Sequence, residues 1–128
     1  MAIVGIGTDI VEIERIREQQ TRLGDKLAKR VLTQAELAVY CVSTLPERYL
    51  AKRFAAKEAA AKALGTGIGR GVSFQHIHTS NDEYGAPLVT FTEGAAKRLA
   101  LLGGVKGHLS IADEKHYATA TVILESAD

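Results

Sequence analysis

The run Ile3-Val4-Gly5-Ile6 is a short apolar stretch of β type that gives way to a polar turn and then to apolar residues at helical spacing. This pattern predicts a strand over about residues 2–8 and a helix over about 11–20. Helical periodicity returns over about 24–31, 34–42 and 45–64. Thr33 with Glu36, and Thr44 with Glu47, each set a hydroxyl three residues before a carboxylate at a predicted helix start, the spacing of a reciprocal cap. Pro46 falls in the first turn of the longest helix, where its missing N–H costs little. Gly65 ends that helix by accepting a left-handed conformation that other residues resist. After a glycine-rich connection to Gly71, Val72 to His78 reads as extended, and Leu88-Val89-Thr90-Phe91 as its return strand across an Asn81-to-Pro87 turn. A helix at about 93–102, closed by Gly103-Gly104, precedes a hairpin of His108 to Ala112 and Tyr117 to Leu124. Helices in the first half and antiparallel strands in the second predict an α+β fold rather than alternating βα units. With no internal repeat, linker or low-complexity tract, residues 1–128 are expected to form one domain.

Composition narrows the function class. With 16 Lys+Arg against 15 Asp+Glu, the chain lacks the excess positive charge of a general nucleic-acid binder. The charge is unevenly spread, however. Between Arg15 and Arg30, six cations (Arg15, Arg17, Arg22, Lys26, Lys29, Arg30) stand against only Glu18 and Asp25, a cationic segment suited to an acidic partner. The single cysteine, Cys41, excludes an intramolecular disulfide and a multi-cysteine metal site, in keeping with a reducing cytosol. With no histidine close in sequence, Cys41 is read as a buried small apolar residue rather than a nucleophile. No apolar stretch approaches the ~20 residues of a membrane span, and no basic segment followed by an apolar run opens the chain. A soluble, cytoplasmic protein is expected.

The candidate chemistry centres on two segments. Phe54 to Gly67 places Glu58 between Lys57 and Lys62 on an alanine-rich helix that ends in glycines. Glu58 and Lys62, one turn apart, sit at the edge of an apolar stripe of Leu50, Phe54 and Ala61. They are either a helix-stabilising i,i+4 pair or part of a site for a metal-bound phosphate. Asp9, at the exit of the first strand, is either the N-cap of the next helix or the second carboxylate of that site, since magnesium takes one or two protein carboxylates together with phosphate oxygens and water. Lys57 is either a solvated helix charge or part of that phosphate site, and Arg53 is read from the helix alone as a solvated charge. The run Gly65-Thr66-Gly67-Ile68-Gly69-Arg70-Gly71 contains no G-x-G-x-x-G in any register, and it closes a helix where a dinucleotide loop opens one. It is either a plain turn or a flexible backbone that can approach a phosphate. His76 and His78, two apart on a predicted strand, face the same way and are read as solvated in the absence of a third metal ligand.

Taken in order, the segments Gly7-Thr8-Asp9-Ile10-Val11-Glu12-Ile13, Arg53 to Ala59 with Lys62 and Gly65-Thr66-Gly67, Asn81 to Pro87, and Ser110 to Ala120 closely resemble the bacterial holo-acyl-carrier-protein synthases, which are small 4′-phosphopantetheinyl transferases. The resemblance runs nearly end to end. It implies transfer of the 4′-phosphopantetheine arm of coenzyme A onto a serine of apo acyl carrier protein, with release of adenosine 3′,5′-bisphosphate, in fatty acid biosynthesis. It also implies that Asp9 and Glu58 hold magnesium, that Lys62 neutralises phosphate charge, and that Arg53, Lys62, Gly65, Thr66 and Gly67 bind coenzyme A. A homotrimer with sites at subunit boundaries is expected, with the carrier docking on Arg15 to Arg30. Phosphoryl transfer to a hydroxyl of the protein substrate needs a cation and alignment rather than a nucleophile of the enzyme. This fits the lack of a Ser-His-Asp or Cys-His arrangement. The proton acceptor is open between Glu58, Asp113 and a metal-ordered water. Many relatives read Ser-Ile-Ser-His where this chain reads Ser110-Ile111-Ala112-Asp113, leaving Asp113 or His116 to stand in for that histidine. A non-catalytic adaptor using the basic segment, or a nucleotide-binding regulator without transfer, are the competing function classes.

Overall fold

A computed structural model describes residues 1–127. The elements run β1 (Ile3–Glu12), α1 (Ile13–Leu23), α2 (Lys26–Val31), α3 (Gln34–Val42), α4 (Pro46–Ala63), a 3₁₀ turn (Phe74–His76), β2 (Ile77–Asn81), β3 (Pro87–Phe91), α5 (Glu93–Leu101), β4 (Gly104–Asp113) and β5 (Tyr117–Ser126). The fold is α+β. β5 is the middle strand of an antiparallel sheet in the order β1-β5-β4, and β2 and β3 form a separate hairpin. α4 lies across the larger sheet against β1 and β5.

The alternation of β5 explains this layering. Ala118, Ala120, Val122 and Leu124 are buried under α4, while Thr119, Thr121 and Ile123 point to the other face. On that outer face Ile6 pairs with Ile123 and Ile10 with Thr119, and Ile6 and Ile10 remain exposed. α4 itself is surrounded: Leu50, Ala51, Ala55, Ala56, Ala59, Ala60, Ala61 and Ala63 are all buried. Its alanines let β1 approach at backbone distance. A Cβ built on Gly5 would lie 2.2 Å from the Ala63 carbonyl oxygen, so at this position no side chain fits. A second cluster, including Ile13, Ile16, Val31, Leu32, Leu50 and Phe74, gathers the short helices against the start of α4.

Several local expectations need correction. β1 continues to Glu12, because it ladders with β5 as far as the Glu12–Tyr117 pair; Asp9 therefore lies inside the strand, and Glu12 occupies the N-cap of α1. The Thr33–Glu36 capping box forms, but the Thr44–Glu47 box does not. Pro46 sets the first helical position of α4 and leaves Leu45 as its N-cap. The extended segment begins at Ile77 and not at Val72, since Phe74–His76 coil into the 3₁₀ turn. Cys41 is exposed, on the solvent side of a helix whose buried residues are Glu36 and Tyr40. Gly65, at φ 80°, adopts the left-handed conformation expected of it.

Candidate active site

Alternation along β1 puts Gly5, Gly7 and Asp9 on the face toward α4. The close approach at Gly5 and Gly7 brings the next member of the row, Asp9, to the helix edge that carries Lys62. The Lys62 ammonium donates to Asp9 Oδ1 at 2.9 Å and to the Thr8 carbonyl at 3.0 Å. Glu58, one turn earlier, is half-buried, and its carboxylate makes no hydrogen bond or ion pair with any described residue. Burial, and then the charge of Asp9, push the Glu58 carboxyl above its ordinary value, with Lys62 and Arg30 offsetting part of the effect. An ion pair and a second carboxylate without a partner therefore meet at one helix edge.

Asp9 and Glu58 open into a cleft of about 170 Å³ that also includes Glu12, Arg15, Gln19 and Phe54. Two features that the sequence presented separately, the carboxylate pair and the start of the basic segment, thus line one cavity. Glu12 is the site residue that sequence reading passed over. Its signal was available, since it stands three residues after Asp9 at the same strand–helix junction. No cluster of three or more His, Cys, Asp or Glu suited to a metal occurs among the described residues. The donor set nevertheless fits magnesium: two carboxylates are sufficient when phosphate and water complete the shell, and a cation between Asp9 and Glu58 would relieve the repulsion that raises the Glu58 carboxyl.

The other singled-out residues divide. Arg53 and Lys57 are not solvated helix charges: Arg53 is 6% exposed and Lys57 0%. The Lys57 ammonium is enclosed by Glu36 Oε1 at 2.6 Å, the Val31 carbonyl at 2.7 Å and the Phe74 carbonyl at 3.1 Å. Glu36 also accepts from the Thr33 and Thr79 backbone N–H groups and from the Thr79 hydroxyl, so every partner in this buried network is satisfied. Arg53 stands over the Tyr49 ring at 5.2 Å and donates through Nη2 to Asn81 Oδ1 at 2.6 Å. Its Nε and Nη1 are buried without a partner, beside a cavity of about 190 Å³ that contains neither Asp9 nor Glu58. The chain therefore does not bring its own Arg53 to the cleft of Asp9 and Glu58.

At the end of α4, the Gly65 N–H donates to the Lys62 carbonyl, and those of Thr66 and Gly67 to the Ala61 carbonyl. These N–H groups finish the helix. Asp113 is held by Arg48 at 2.9 Å and Lys52 at 3.6 Å, and Arg48 also donates to the Glu114 and Lys115 carbonyls, which fixes the β4–β5 turn. His116 is exposed. His76 and His78 have local partners rather than a shared metal face: His76 Nδ1 accepts from the Ser73 N–H, and His78 Nε2 bonds the Thr92 hydroxyl.

A family model described as the 4′-phosphopantetheinyl transferase superfamily matches residues 5–122. A holo-[acyl-carrier-protein] synthase of Shewanella denitrificans is 83% identical over 126 residues, covering 98% of this chain and all of the relative. Among solved structures, the holo-[acyl-carrier-protein] synthase of Neisseria meningitidis superposes with a TM-score of 0.91 at 42% identity, over 98% of this chain and 100% of that one. The Helicobacter pylori holo-[acyl-carrier-protein] synthase in complex with coenzyme A gives 0.81 at 32% identity, over 94% and 99%. Likeness of this extent covers β1 and α4, which carry Asp9, Glu58 and Lys62, and the chain belongs to the 4′-phosphopantetheinyl transferase superfamily.

Proposed function

We propose that this protein transfers the 4′-phosphopantetheine of coenzyme A to a serine of apo acyl carrier protein, giving holo carrier protein and adenosine 3′,5′-bisphosphate for fatty acid biosynthesis. The observation that carries this reading is that Asp9, paired with Lys62, and the partnerless Glu58 line one cleft shared with Arg15. The serine oxygen bonds to the phosphorus bearing pantetheine, the bond from that phosphorus to the nucleotide breaks, and the hydroxyl proton leaves. Lys62 neutralises charge growing on the departing phosphate. Asp9 and Glu58 hold magnesium, which when bound supplies positive charge at the pyrophosphate oxygens. Of the side chains proposed as proton acceptor, Glu58 is free of partners and raised in pKa, whereas Asp113 is neutralised by Arg48 and Lys52.

Coenzyme A binding extends to Gly65, Thr66 and Gly67, beyond Lys62 on the same side of α4, and to Arg53, whose side chain borders the cavity of about 190 Å³. Because Arg53 lies away from its own chain's cleft, it acts on coenzyme A held by a neighbouring copy in a homotrimer. The exposed face bearing Ile6 and Ile10 supports such association, since isolated sheets seldom leave large β-branched residues uncovered in a row. The acidic carrier docks on the Arg15–Arg30 segment. Residues 1–128 work as one domain in the cytoplasm; no helix of the described residues is long and apolar enough to cross a membrane. The test is to incubate the protein with coenzyme A, magnesium and apo carrier protein and to read the intact mass of the carrier. Addition of one phosphopantetheine is expected. Binding of the carrier without a mass change would leave the adaptor reading, and binding of coenzyme A without transfer the regulator reading.

A further inference from the structure

Arg30, exposed in the last turn of α2, closes the basic segment, but its surroundings differ from those of a solvated cation. Its guanidinium stands over the Phe74 ring, with Cζ 5.8 Å from the centroid, and makes no hydrogen bond or ion pair with any described residue. Phe74 packs on Phe54, their ring centroids 5.8 Å apart, and Phe54 borders the cleft of Asp9 and Glu58. Phe54, Glu58 and Lys62 follow one another at intervals of one turn along the same side of α4. Lys62 forms one end of this row, and Arg30 reaches its other end through Phe74. The charges of these same two cations offset part of the rise in the Glu58 carboxyl. Glu58 is thus flanked by two cations from different elements of the fold.

The backbone that presents Arg30 is held from two sides. Gln75 donates through Nε2 to the Leu32 carbonyl at 2.8 Å and to the Arg30 carbonyl at 3.3 Å, which satisfies acceptors that the end of α2 leaves open. The Lys57 ammonium joins the Val31 carbonyl at 2.7 Å to the Phe74 carbonyl at 3.1 Å, tying the residue after Arg30 to the ring beneath its side chain. A guanidinium stacked on an aromatic face keeps the N–H donors at its edge free. Lys62, by contrast, already donates to Asp9 and to the Thr8 carbonyl. Arg15, which borders the cleft, also belongs to a groove on α1 with Glu18, Gln19 and Arg22, the face proposed to receive the carrier. Arg30 therefore combines a fixed position near Glu58 with donors that no described residue occupies.

We infer that Arg30 is a catalytic residue, whose guanidinium binds oxygens of the phosphoryl group as that group passes to the carrier serine; this rests on the proposed transfer from coenzyme A. Phosphoryl transfer spreads negative charge over the equatorial oxygens of the moving group as well as onto the leaving oxygen. Lys62 answers the leaving side, and a second cation is needed for the moving group. The planar fork of an arginine suits two phosphate oxygens at once. Arg30 forms no covalent bond and gives up no proton. The serine oxygen bonds to phosphorus, adenosine 3′,5′-bisphosphate leaves with the electron pair of the broken bond, and the hydroxyl proton goes to the acceptor. Because the charge on those oxygens is redistributed during transfer, the contact acts on kcat more than on binding.

The experiment measures transfer from coenzyme A to apo carrier protein, with both substrates varied to saturation, in the unaltered protein, Arg30→Gln and Arg30→Lys. Arg30→Gln is expected to lower kcat roughly 100-fold, the worth of one donor aimed at developing charge. Arg30→Lys keeps the charge and the stem over Phe74, which guards against a folding defect, yet it should recover little of the loss because an ammonium cannot make the two-pronged contact. A cation that serves only to dock the carrier behaves otherwise: its removal raises the KM for carrier, leaves kcat at saturation intact and is largely repaired by lysine. That pattern in the Arg30 variants overturns the inference. Methylguanidinium added to Arg30→Ala supplies a readout that a structural role would not move, and partial recovery of its turnover, with no effect on the unaltered protein, supports a direct contact. Absence of transfer by the unaltered protein would instead overturn the proposed function, and the role of Arg30 with it.

Discussion

Gly7 on β1 and Ala59 on α4 meet backbone to backbone: a Cβ on Gly7 would lie 2.1 Å from the Ala59 carbonyl oxygen and 3.0 Å from Lys62 Cβ. The same contact determines how close Asp9, two residues further along the strand, comes to Lys62. Gly7→Ala is therefore expected to force β1 and α4 apart, at an overpacking cost of about 1–3 kcal/mol, and to lengthen the Asp9–Lys62 contact. Urea unfolding should report lower stability, and turnover measured where the variant is fully folded should fall as well. Full turnover in the folded variant would show that the close approach serves stability alone.

The buried Lys57–Glu36 pair makes a different demand. Lys57→Ala leaves a carboxylate in the core without its cation, with an expected loss of about 3–5 kcal/mol. Burial alone would raise the Glu36 carboxyl, but the charge and hydrogen bond of Lys57, with the bonds from Thr79 and Thr33, outweigh it and hold the group below its ordinary value. Below that ordinary value the unfolded chain binds more protons than the native one, so stability contributed by Glu36 is present above it and is lost as pH falls toward the lowered native value. Acid unfolding should accordingly be less steep in Glu36→Gln, starting from a lower stability at neutral pH. Identical pH dependence in the two proteins would exclude the pair as a source of acid sensitivity.

These two contacts show what the sequence disclosed and what it withheld. Period and capping were legible: the alternation of β5, the long helix from Pro46, the Thr33–Glu36 box and the glycine stop at Gly65 all follow from local chemistry. The proximity of Asp9, Glu58 and Lys62, as distinct from any role for them, was legible from their residue types and spacing. The burial of Lys57 and Arg53 was not, since a charged residue on a helix is normally solvated, and only the assembled neighbours from α2, α3, the 3₁₀ turn and β2 reveal carbonyls and carboxylates waiting for them. For the same reason β1 was read as too short. Its last residues are polar and turn-like locally, and the ladder to β5 that keeps them extended is a contact between opposite ends of the chain.

Glu58 links stability to function with opposite signs. Its carboxyl is raised by burial and by Asp9, so over the interval above the ordinary carboxylate value the native state binds more protons than the unfolded one. Its contribution to stability is then lost as pH rises through the raised value. Glu58→Gln, which cannot ionise, is expected to melt at a higher temperature than the unaltered protein at neutral pH and to show no advantage at pH below the ordinary carboxylate range. The same substitution, like Asp9→Asn, should abolish most transfer. A lower melting temperature at neutral pH would contradict the electrostatic account.

The metal assignment has a readout apart from turnover. Magnesium that binds the native protein at Asp9 and Glu58 should raise its melting temperature with rising concentration, and should do so far less in Glu58→Gln or Asp9→Asn. Chelation should remove both the shift and the transfer activity. An equal magnesium response in all three proteins would place the ion elsewhere.

Arg15 lies in the cleft of Asp9 and Glu58 and is also the first cation of the basic segment, so under the proposed function it stands where an acidic carrier would pass to deliver its serine. Complementary charge at such an entrance acts mainly on encounter and orientation. Arg15→Glu is therefore expected to raise the KM for carrier protein about tenfold or more, in line with the several kcal/mol that a like-charge contact costs, while changing the KM for coenzyme A much less. Salt supplies an independent check: the Debye length shrinks from about 10 Å at 0.1 M to about 3 Å at 1 M, so added salt should weaken carrier use by the unaltered protein and narrow its difference from Arg15→Glu. Equal increases in both KM values, or a difference that salt leaves untouched, would mean that Arg15 shapes the cleft and does not guide the carrier.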